Sequence, residues 1–327
     1  MVTSSDERRY LGNLIRLVFF AVSLGTVIAF FSRVHWFAEL FSHFRFYFLL
    51  VQALLVLVFL HSERRSLMVA TLLLSIPNAW VVVPYLAPLA VRPSTAVADA
   101  RGEEIDMVAL NVNYLNEDYA AMRDYLDSVS PDVIVVAEIT DEWARALKFL
   151  DAIYPHRIGE RRSDPWGLMV YSRLPFVESE LLDLGVADTV HARIVLRAGQ
   201  HLLQIMAVHL FPPTSPRGAW NRNRQLVSLA RRVSVSDLPT AVVGDMNLTP
   251  FSPYFDEFTA AAGVVDARRD AGFHFTWPTL PVPLWIPIDH ALVNPAVKVR
   301  RVQRGPEVGS DHYPLEISVS CCGPGAG

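Results

Sequence analysis

AVVGDMNLTP, residues Ala241–Pro250, is the stretch that decides the fold of the second half of this chain. A short run of small and branched apolar residues leads through Gly244 to two polar residues, Asp245 and Asn247. This pattern predicts a buried strand whose end presents a carboxylate and an amide. Strand alternation predicts that Met246, between them, points into the core. Gly244 is interpreted as letting the chain turn close to a ligand. Taken alone, Gly-Asp more often marks a turn or a helix cap.

Several other apolar runs end or begin in the same way. Glu138 follows VIVVA (133–137), and His209 follows LLQIMAV (202–208). The remaining residues of this kind are Asn111, Asn113, Asp289, Asp311 and His312. Each could be a local cap, but sites in layered α/β domains form where strand ends converge. Their joint occurrence therefore favours one site built from distant segments.

Short apolar strands alternate with amphipathic helices across the second half, which indicates a layered α/β domain. The predicted strands are 106–112, 133–137, 167–172, 192–196, 202–208, 241–243 and 290–293. The predicted helices are Asp118–Val129, Asp141–Leu150 and Asn221–Val233. Arg222 and Gln225 on the last helix are interpreted either as positioning residues for site loops or as partners in ordinary salt bridges.

Ile105–Val319 resembles the endonuclease/exonuclease/phosphatase superfamily, the DNase-I-like metal-dependent phosphoesterases. The most specific blocks are GDMN (244–247), IDHALV (288–293) and GSDHYPL (309–315), which stand in the family's order and spacing. The resemblance implies a four-layer α/β sandwich, in which two stacked mixed β-sheets are flanked by helices. One departure is Ala137, where the family often has Gln, and a phosphate-clamping Tyr or Arg has no clear counterpart.

The resemblance also implies a Mg²⁺ or Mn²⁺ site. Glu138 matches the family's main metal ligand, with Asn111 and Asp311 as neighbours of the metal. The chemistry agrees, because Mg²⁺ prefers oxygen ligands, keeps several waters and needs only one or two carboxylates. A hard cation also neutralises the charge that develops on a phosphoester during attack.

The remaining matches concern the water and the phosphate. Asp245 matches the residue that positions or deprotonates the attacking water, and Asn247 a ligand that orients the phosphate or the water. His312 matches the histidine that contacts the phosphate, and Asp289 the carboxylate that holds it. His209 matches a second histidine near the scissile group. An imidazole beside a carboxylate is oriented and more readily protonated, so it can donate to a phosphate oxygen.

The first ninety residues have a different composition. Three runs lack charged residues, Leu17–Phe31, Phe46–Leu60 and Ser66–Val91, and with their apolar flanks each approaches the length of about 20 residues that spans a bilayer. The alternative is a signal peptide followed by buried core helices, but no A-x-A-like site ends the first run. The sequence therefore predicts an all-α region of three transmembrane helices, at about 11–32, 42–61 and 66–90.

The predicted domains are a transmembrane region 1–91, a polar linker 92–104, a catalytic domain 105–320 and a tail 321–327. Arginines before the first span and at Arg64 and Arg65 favour an N-terminus inside the cell. Three spans would then place the catalytic domain on the outer face of a bacterial-type cytoplasmic membrane.

Charge separates the two halves. Residues 1–91 contain seven arginines and four acidic residues, whereas the rest of the chain contains 22 basic and 29 acidic residues, a net charge of −7. A net-negative domain is a poor generic ligand for nucleic acid, because phosphate neutralisation supplies most of that affinity. Strong nucleic-acid binding is therefore not expected. The two adjacent cysteines, Cys321 and Cys322, exclude a disulfide framework.

These observations favour a membrane-anchored phosphoesterase that hydrolyses a lipid-linked phosphate or a phospholipid head group. The expected partners are the lipid bilayer and a phosphorylated lipid. Phe273–Pro287 is rich in aromatic residues and proline immediately before Asp289 and could touch the membrane interface or pack on its own domain. The enzyme alternative is a tethered extracytoplasmic nuclease or nucleotide phosphodiesterase. A further alternative is a non-catalytic membrane scaffold. The oligomeric state is left open.

Overall fold

The computed structural model of the chain describes residues 4–86, 104–269, 274–281 and 284–321. The predicted linker, except for Glu104, and the predicted tail, except for Cys321, lie outside these residues. The chain divides into two compact units, Met1–Ala87 with Pro250–Pro253, and Pro88–Thr249 with Tyr254–Gly327.

The described residues of the first unit form four α-helices: α1 Ser4–Ala29, α2 Trp36–Ser42, α3 Arg45–His61 and α4 Arg65–Leu86. Glu7–Ala29 and Arg65–Leu86 are each long and apolar enough to cross a membrane, with a mean hydropathy of 1.9. Helices α2 and α3 meet the same criterion only as a pair, which is bent by 56°. Two helices of this unit, or three if the bent pair counts as one span, can therefore cross a bilayer.

A buried polar layer connects the three long helices. Asn78 Nδ2 donates to Thr26 Oγ1 at 3.1 Å and to Gln52 Oε1 at 3.0 Å. Arg45 Nη1 donates to Asn78 Oδ1 at 3.1 Å, and Nη2 donates to the Ala29 carbonyl at 3.0 Å. Interhelical hydrogen bonds of this kind specify how apolar helices pack against one another.

The second unit is built on two sheets. Its strands are β1 Glu104–Asn111, β2 Val133–Ala137, β3 His156–Glu160, β4 Leu168–Ser172, β5 Phe176–Leu181, β6 Ala192–Ala198, β7 His201–His209, β8 Thr240–Asp245, β9 Val265–Asp266, β10 Asp289–Val293, β11 Val297–Arg304 and β12 Leu315–Cys321. The first sheet has the order β11-β12-β1-β2-β4-β3, and the second β5-β6-β7-β8-β10-β9. Both sheets are mixed, since β1 pairs with β2 and β7 with β8 in parallel.

Side-chain alternation produces the layers. Met107 of β1 and Val243 of β8 belong to one core between the sheets. Their neighbours Val108 and Val242 point to the outer faces, where separate apolar clusters form. The outer faces are covered by α5 Tyr119–Val129, α6 Asp141–Ala146, α7 Pro216–Ser234 and α8 Pro253–Ala262. Two stacked mixed sheets flanked by helices confirm the predicted four-layer sandwich.

Met246 is fully buried in the core between β8 and the outer helices, as strand alternation predicts. Gly244 lies within β8 with φ +134°, and a Cβ there would lie 2.0 Å from the carbonyl oxygen of Val208 on β7. The close approach of the neighbouring strand therefore requires glycine at this position, and the predicted turn close to a ligand stays a prediction.

Candidate active site

Strand pairing places the predicted residues at one edge of each sheet. In the first sheet Asn111 is paired with Ala137, so the following residue, Glu138, lies next to Asn111. In the second sheet Asp245 is paired with His209 on one side and with Asp289 on the other. The register of two sheets thus assembles five of the predicted side chains.

Backbone conformation turns the chain sharply at these strand ends. Glu138, Asn247 and Asn113 have positive φ angles of +61°, +49° and +55°. Such angles are unfavourable for residues with a Cβ and concentrate at functional sites. At Asn247 the turn is held by its own N–H, which donates to Asp245 Oδ1 at 2.8 Å. The side-chain amide of Asn247 donates to the Leu210 carbonyl at 2.9 Å and steadies the end of β7.

Side chains of the two sheets meet at the centre of the site. Asn111 Nδ2 donates to Glu138 Oε1 at 2.9 Å and lies 3.3 Å from Asp245 Oδ2. His209 Nε2 lies 3.8 Å from Glu138 Oε1 and 3.6 Å from Asp245 Oδ2. Asn111, His209 and Asp245 are buried, whereas the Glu138 side chain keeps 16% of its surface exposed. Glu138 is therefore the central carboxylate that opens toward solvent.

His312 completes the second-sheet side of the site. Its Nδ1 lies 2.9 Å from Asp289 Oδ2, and its Nε2 lies 3.8 Å from Asp245 Oδ2. Burial disfavours the charged imidazole, but the charge and hydrogen bond of Asp289, and then Asp245, outweigh it and raise the pKa of His312 to about 10. His312 is therefore an imidazolium at neutral pH, able to donate from Nε2.

The pKa values of the two carboxylates near His312 are shifted in opposite directions. Burial, and next the charge of Asp289, raise the pKa of Asp245 to about 8. Burial acts in the same direction on Asp289, but the charge and hydrogen bond of His312 outweigh it and lower the pKa of Asp289. Asp289 thus stays ionised and orients His312, while Asp245 has the proton affinity of a general base.

The donor set suits a hard divalent cation. Asp245, Asp289 and His312 offer ligand atoms within 4.8 Å of one another. Within this trio His312 Nδ1 is already bound to Asp289 Oδ2 at 2.9 Å, an arrangement that also suits proton handling. Glu138 supplies the carboxylate oxygens that Mg²⁺ prefers, and the Asn111 Nδ2 donor orients one of them. The residues present therefore fit a divalent metal held near Glu138.

Asp311 is held beside the site by two donors. Asn113 Nδ2 donates to its Oδ1 and Trp277 Nε1 to its Oδ2, both at 2.9 Å. Each oxygen keeps a further lone pair beyond that bond. The role of Asp311 as a metal neighbour stays a prediction. The bond to Asp311 brings Trp277 to the site. In the sequence, only the aromatic composition of residues 273–287 pointed to this tryptophan.

Trp166 forms one wall of the site, and the sequence did not lead us to predict this residue. Its ring centroid lies 5.5 Å from that of His209 and 4.1 Å from that of Phe211. Hydrogen bonds stabilise the loop that carries it, because Arg162 binds Asp164 through two hydrogen bonds and Asp164 accepts the Trp166 N–H. The sequence signal that could have indicated Trp166 was its position between Asp164-Pro165, a turn pattern, and Gly167.

Hydrogen bonds to His191 and Gln225 hold the end of β7, which carries His209. The His209 N–H donates to His191 Nδ1 at 3.4 Å, and the Phe211 N–H donates to Gln225 Oε1 at 2.9 Å. Burial, and next the charge of His209, lower the pKa of His191 to about 3, so its Nδ1 can act as an acceptor. Gln225 thus positions an active-site strand end.

The sequence profile of the Endonuclease/Exonuclease/phosphatase family matches residues 108–312. The chain belongs to this family and, as a member, is a divalent-metal-dependent hydrolase of phosphoester bonds. No curated protein sequence matches the chain significantly.

Solved structures share the fold of the second unit. The complex of D. rerio TDP2 with a single-strand DNA product is 18% identical, with a TM-score of 0.57, and the match covers 66% of this chain and 98% of that one. A family member from Bacteroides vulgatus is 18% identical, with a TM-score of 0.56 and coverages of 67% and 99%. One from Beutenbergia cavernae is 18% identical, with a TM-score of 0.54 and coverages of 68% and 72%.

Proposed function

We propose that this protein is a Mg²⁺-dependent phosphoesterase, also served by Mn²⁺, that its N-terminal helices anchor in the bacterial cytoplasmic membrane. Its substrate is a lipid-linked phosphate, a lipid pyrophosphate or a phospholipid head group at the outer face. The topology rests on the arginine distribution around the helices. A reporter fused after Gly327 that is active only in the cytoplasm would overturn this orientation.

The roles of the site residues follow from their geometry. Glu138, with Asn111 and Asp311 nearby, would hold the cation, which supplies charge neutralisation at the phosphate. Asp245 takes the proton of the attacking water. His312 donates to a phosphate oxygen from Nε2, which is its free nitrogen once Nδ1 is bound to Asp289.

Two further residues shape the approach to the phosphate. His209 lies within 4 Å of both Glu138 and Asp245 and provides a second imidazole at the scissile group. Asn247 anchors the turn that presents Asp245, through its backbone N–H. Because its side-chain amide is bound to the Leu210 carbonyl, Asn247 acts on the phosphate through this turn.

The observation that carries the lipid assignment is the loop before β10. Leu280 and Leu284 at its tip are 72% and 44% exposed, with Pro281 exposed between them. At the base of the same loop, Trp277 binds Asp311 and the Thr279 N–H donates to the Asp311 carbonyl at 2.9 Å. An exposed apolar tip continuous with the site supports substrate uptake from a membrane surface.

The test uses the full-length protein in lipid nanodiscs with Mg²⁺. Lipid phosphates, lipid pyrophosphates and oligonucleotides are offered, together with the soluble diester bis(4-nitrophenyl) phosphate. L280E/L284E is expected to lower lipid turnover by about tenfold or more, since charges at the tip oppose contact with acyl chains. Its effect on the soluble diester should be much smaller. The matched control is Val235→Glu, an exposed apolar position at the end of α7. Turnover of oligonucleotides alone would refute the lipid assignment.

A tethered nuclease or nucleotide phosphodiesterase is the second candidate. The observation in its favour is the fold shared with TDP2, whose structure holds a single-strand DNA product. The net charge of −7 outside the helical region weighs against it. This candidate requires oligonucleotide hydrolysis at rates that lipid does not change.

A further inference from the structure

A groove of about 590 Å³ lies beside the active site, entirely within the described residues of the second unit. One wall is the loop Gly185–Asp188, and the other is the N-terminal part of α7. Trp166 and Phe211 also line the groove. Because Trp166 packs on His209 as well, the groove begins at the wall of the catalytic centre.

One face of α7 supplies the polar surface of this groove. Arg217, Trp220, Asn221 and Arg224 follow the i, i+3, i+4, i+7 spacing that places side chains on one side of a helix, and all four line the groove. The Arg224 guanidinium carbon lies 4.7 Å from the centre of the Trp220 ring. The groove therefore combines aromatic surfaces with two guanidinium groups.

These guanidiniums lack a carboxylate partner. Among the described residues, neither Arg217 nor Arg224 forms an ion pair, in contrast to Arg162 and Arg193, which pair with Asp164 and with Glu178. Asp188 is the single acidic residue of the lining. Two guanidiniums against one carboxylate leave this lining with an excess of positive charge, in a part of the chain whose net charge is −7.

Guanidinium groups are well matched to phosphate, since their planar N–H donors can bind two oxygens at once. The groove extends from the wall formed by Trp166 and His209, so a group bound there belongs to the part of the substrate that projects past His209. We propose that Arg217 and Arg224 bind a second phosphate group of the substrate, distinct from the phosphate that is hydrolysed. This rests on the proposed hydrolysis at Glu138 and Asp245, and narrows the substrate to molecules with two phosphates.

The activity test compares substrates in pairs that differ only by one phosphate. The lipid pair is phosphatidylinositol and phosphatidylinositol 4-phosphate, and the nucleotide pair is thymidine dinucleotide with and without a 5′-phosphate. The measured quantity is the ratio of kcat/KM for the two-phosphate substrate to that for the one-phosphate substrate. R217Q/R224Q in the full-length protein is expected to lower this ratio at least tenfold in one pair. The pair that responds identifies the source of the phosphate.

The matched control is R123Q/R197Q, which removes two exposed arginines away from the groove and should leave both ratios unchanged. Ratios that stay the same in R217Q/R224Q, or that fall equally in the control, would overturn the proposal. Failure of the wild type to hydrolyse any of these substrates, lipid phosphates, lipid pyrophosphates and bis(4-nitrophenyl) phosphate included, would instead refute the proposed hydrolysis.

A binding measurement separates these two failures. By calorimetry without metal, the wild type is expected to bind inositol 1,4-bisphosphate at least tenfold more tightly than inositol 1-phosphate. R217Q/R224Q should lose this preference. Equal affinity of the wild type for both ligands would overturn the assignment of the groove, whatever the enzyme activity.

Discussion

The Nδ1 atom of His312 lies 2.9 Å from Oδ2 of Asp289, and both side chains are buried. Asp289 belongs to β10, while His312 lies in the loop before β12, so the pair joins elements of different sheets. The other imidazole nitrogen faces Asp245 at 3.8 Å. This relationship favours the charged imidazole and fixes the direction of the one nitrogen left to act on a substrate.

Asp289→Asn is expected to lower kcat by about 10²- to 10⁴-fold, the usual contribution of a positioned acid or base. Without the carboxylate, the pKa of His312 falls from about 10 toward its ordinary value. The basic limb of the pH profile should therefore shift to lower pH. The measurement is kcat between about pH 5 and pH 10. A basic limb identical to that of the wild type would contradict the assigned role.

The same pair should make stability depend on pH. The pKa of His312 is higher in the folded protein than its ordinary value of 6.5. Its stabilising contribution is therefore complete below that value and is lost as the pH rises through about 10. His312→Gln should flatten the fall in Tm over this range. A Tm profile with the wild-type slope would argue against a charged His312.

Asp245→Asn is expected to abolish catalysis while stabilising the metal-free protein. The pKa of Asp245 is raised to about 8, mainly by burial, so its ionised form is unfavourable in the fold. Its contribution is complete below 3.8 and is lost as the pH rises through about 8. Above pH 8 the variant should gain in Tm, by about 2–4 °C for each kcal/mol relieved. The check is Tm at pH 6 and pH 9 in EDTA, and a variant that is less stable at both would contradict it.

Removal of divalent metal should abolish activity, and Mg²⁺ should restore it. Glu138→Gln is expected to raise the Mg²⁺ concentration for half-maximal activity at least tenfold, because the main carboxylate ligand loses its charge. The measurement is a Mg²⁺ titration of kcat/KM. Glu180→Gln, an exposed position on β5, is the control. Equal Mg²⁺ dependence in both variants would exclude Glu138 as the ligand.

Trp166→Ala should reduce kcat/KM about two- to tenfold, while Trp166→Phe should retain most of the activity. The reason is that an aromatic pair contributes about 0.5–1.5 kcal/mol beyond its buried area, and Trp166 holds both Phe211 and His209. Steady-state kinetics with a soluble diester would measure this. Equal losses in both variants would show that the ring itself is not the cause.

Asn78→Leu should weaken the packing of the N-terminal helices by about 0.6–2 kcal/mol, because Asn78 bonds to Thr26, Gln52 and Arg45. The check is unfolding of the full-length protein in mixed micelles. Ser75→Leu is the control on the same helix, since Ser75 is half-buried and its hydroxyl donates to the Leu72 carbonyl of its own helix. An equal effect of both substitutions would refute the role of the polar layer.

Much of the fold was predictable from local patterns. Short apolar runs in β1, β2, β7 and β8 indicated buried strands, and motif order indicated the family and its four layers. The strands β3, β5, β9, β11 and β12 were missed. Their polarity hid them, since β12 is buried throughout although every second residue is polar. Helix α7 begins at Pro216, five residues before its predicted start, because Ser215 caps it.

By itself, the sequence determined which side chains stand at the strand ends, because period-two alternation and turn residues are local properties. Only the tertiary structure decided what each of them meets. Strand register set Asp245 between His209 and Asp289, and burial then separated the pKa values of residues with the same chemistry. Likewise, only the tertiary structure shows that Trp166 and the arginines Arg217 and Arg224 of α7 line the same groove. These properties depend on distances between residues far apart in the chain, which no local pattern encodes.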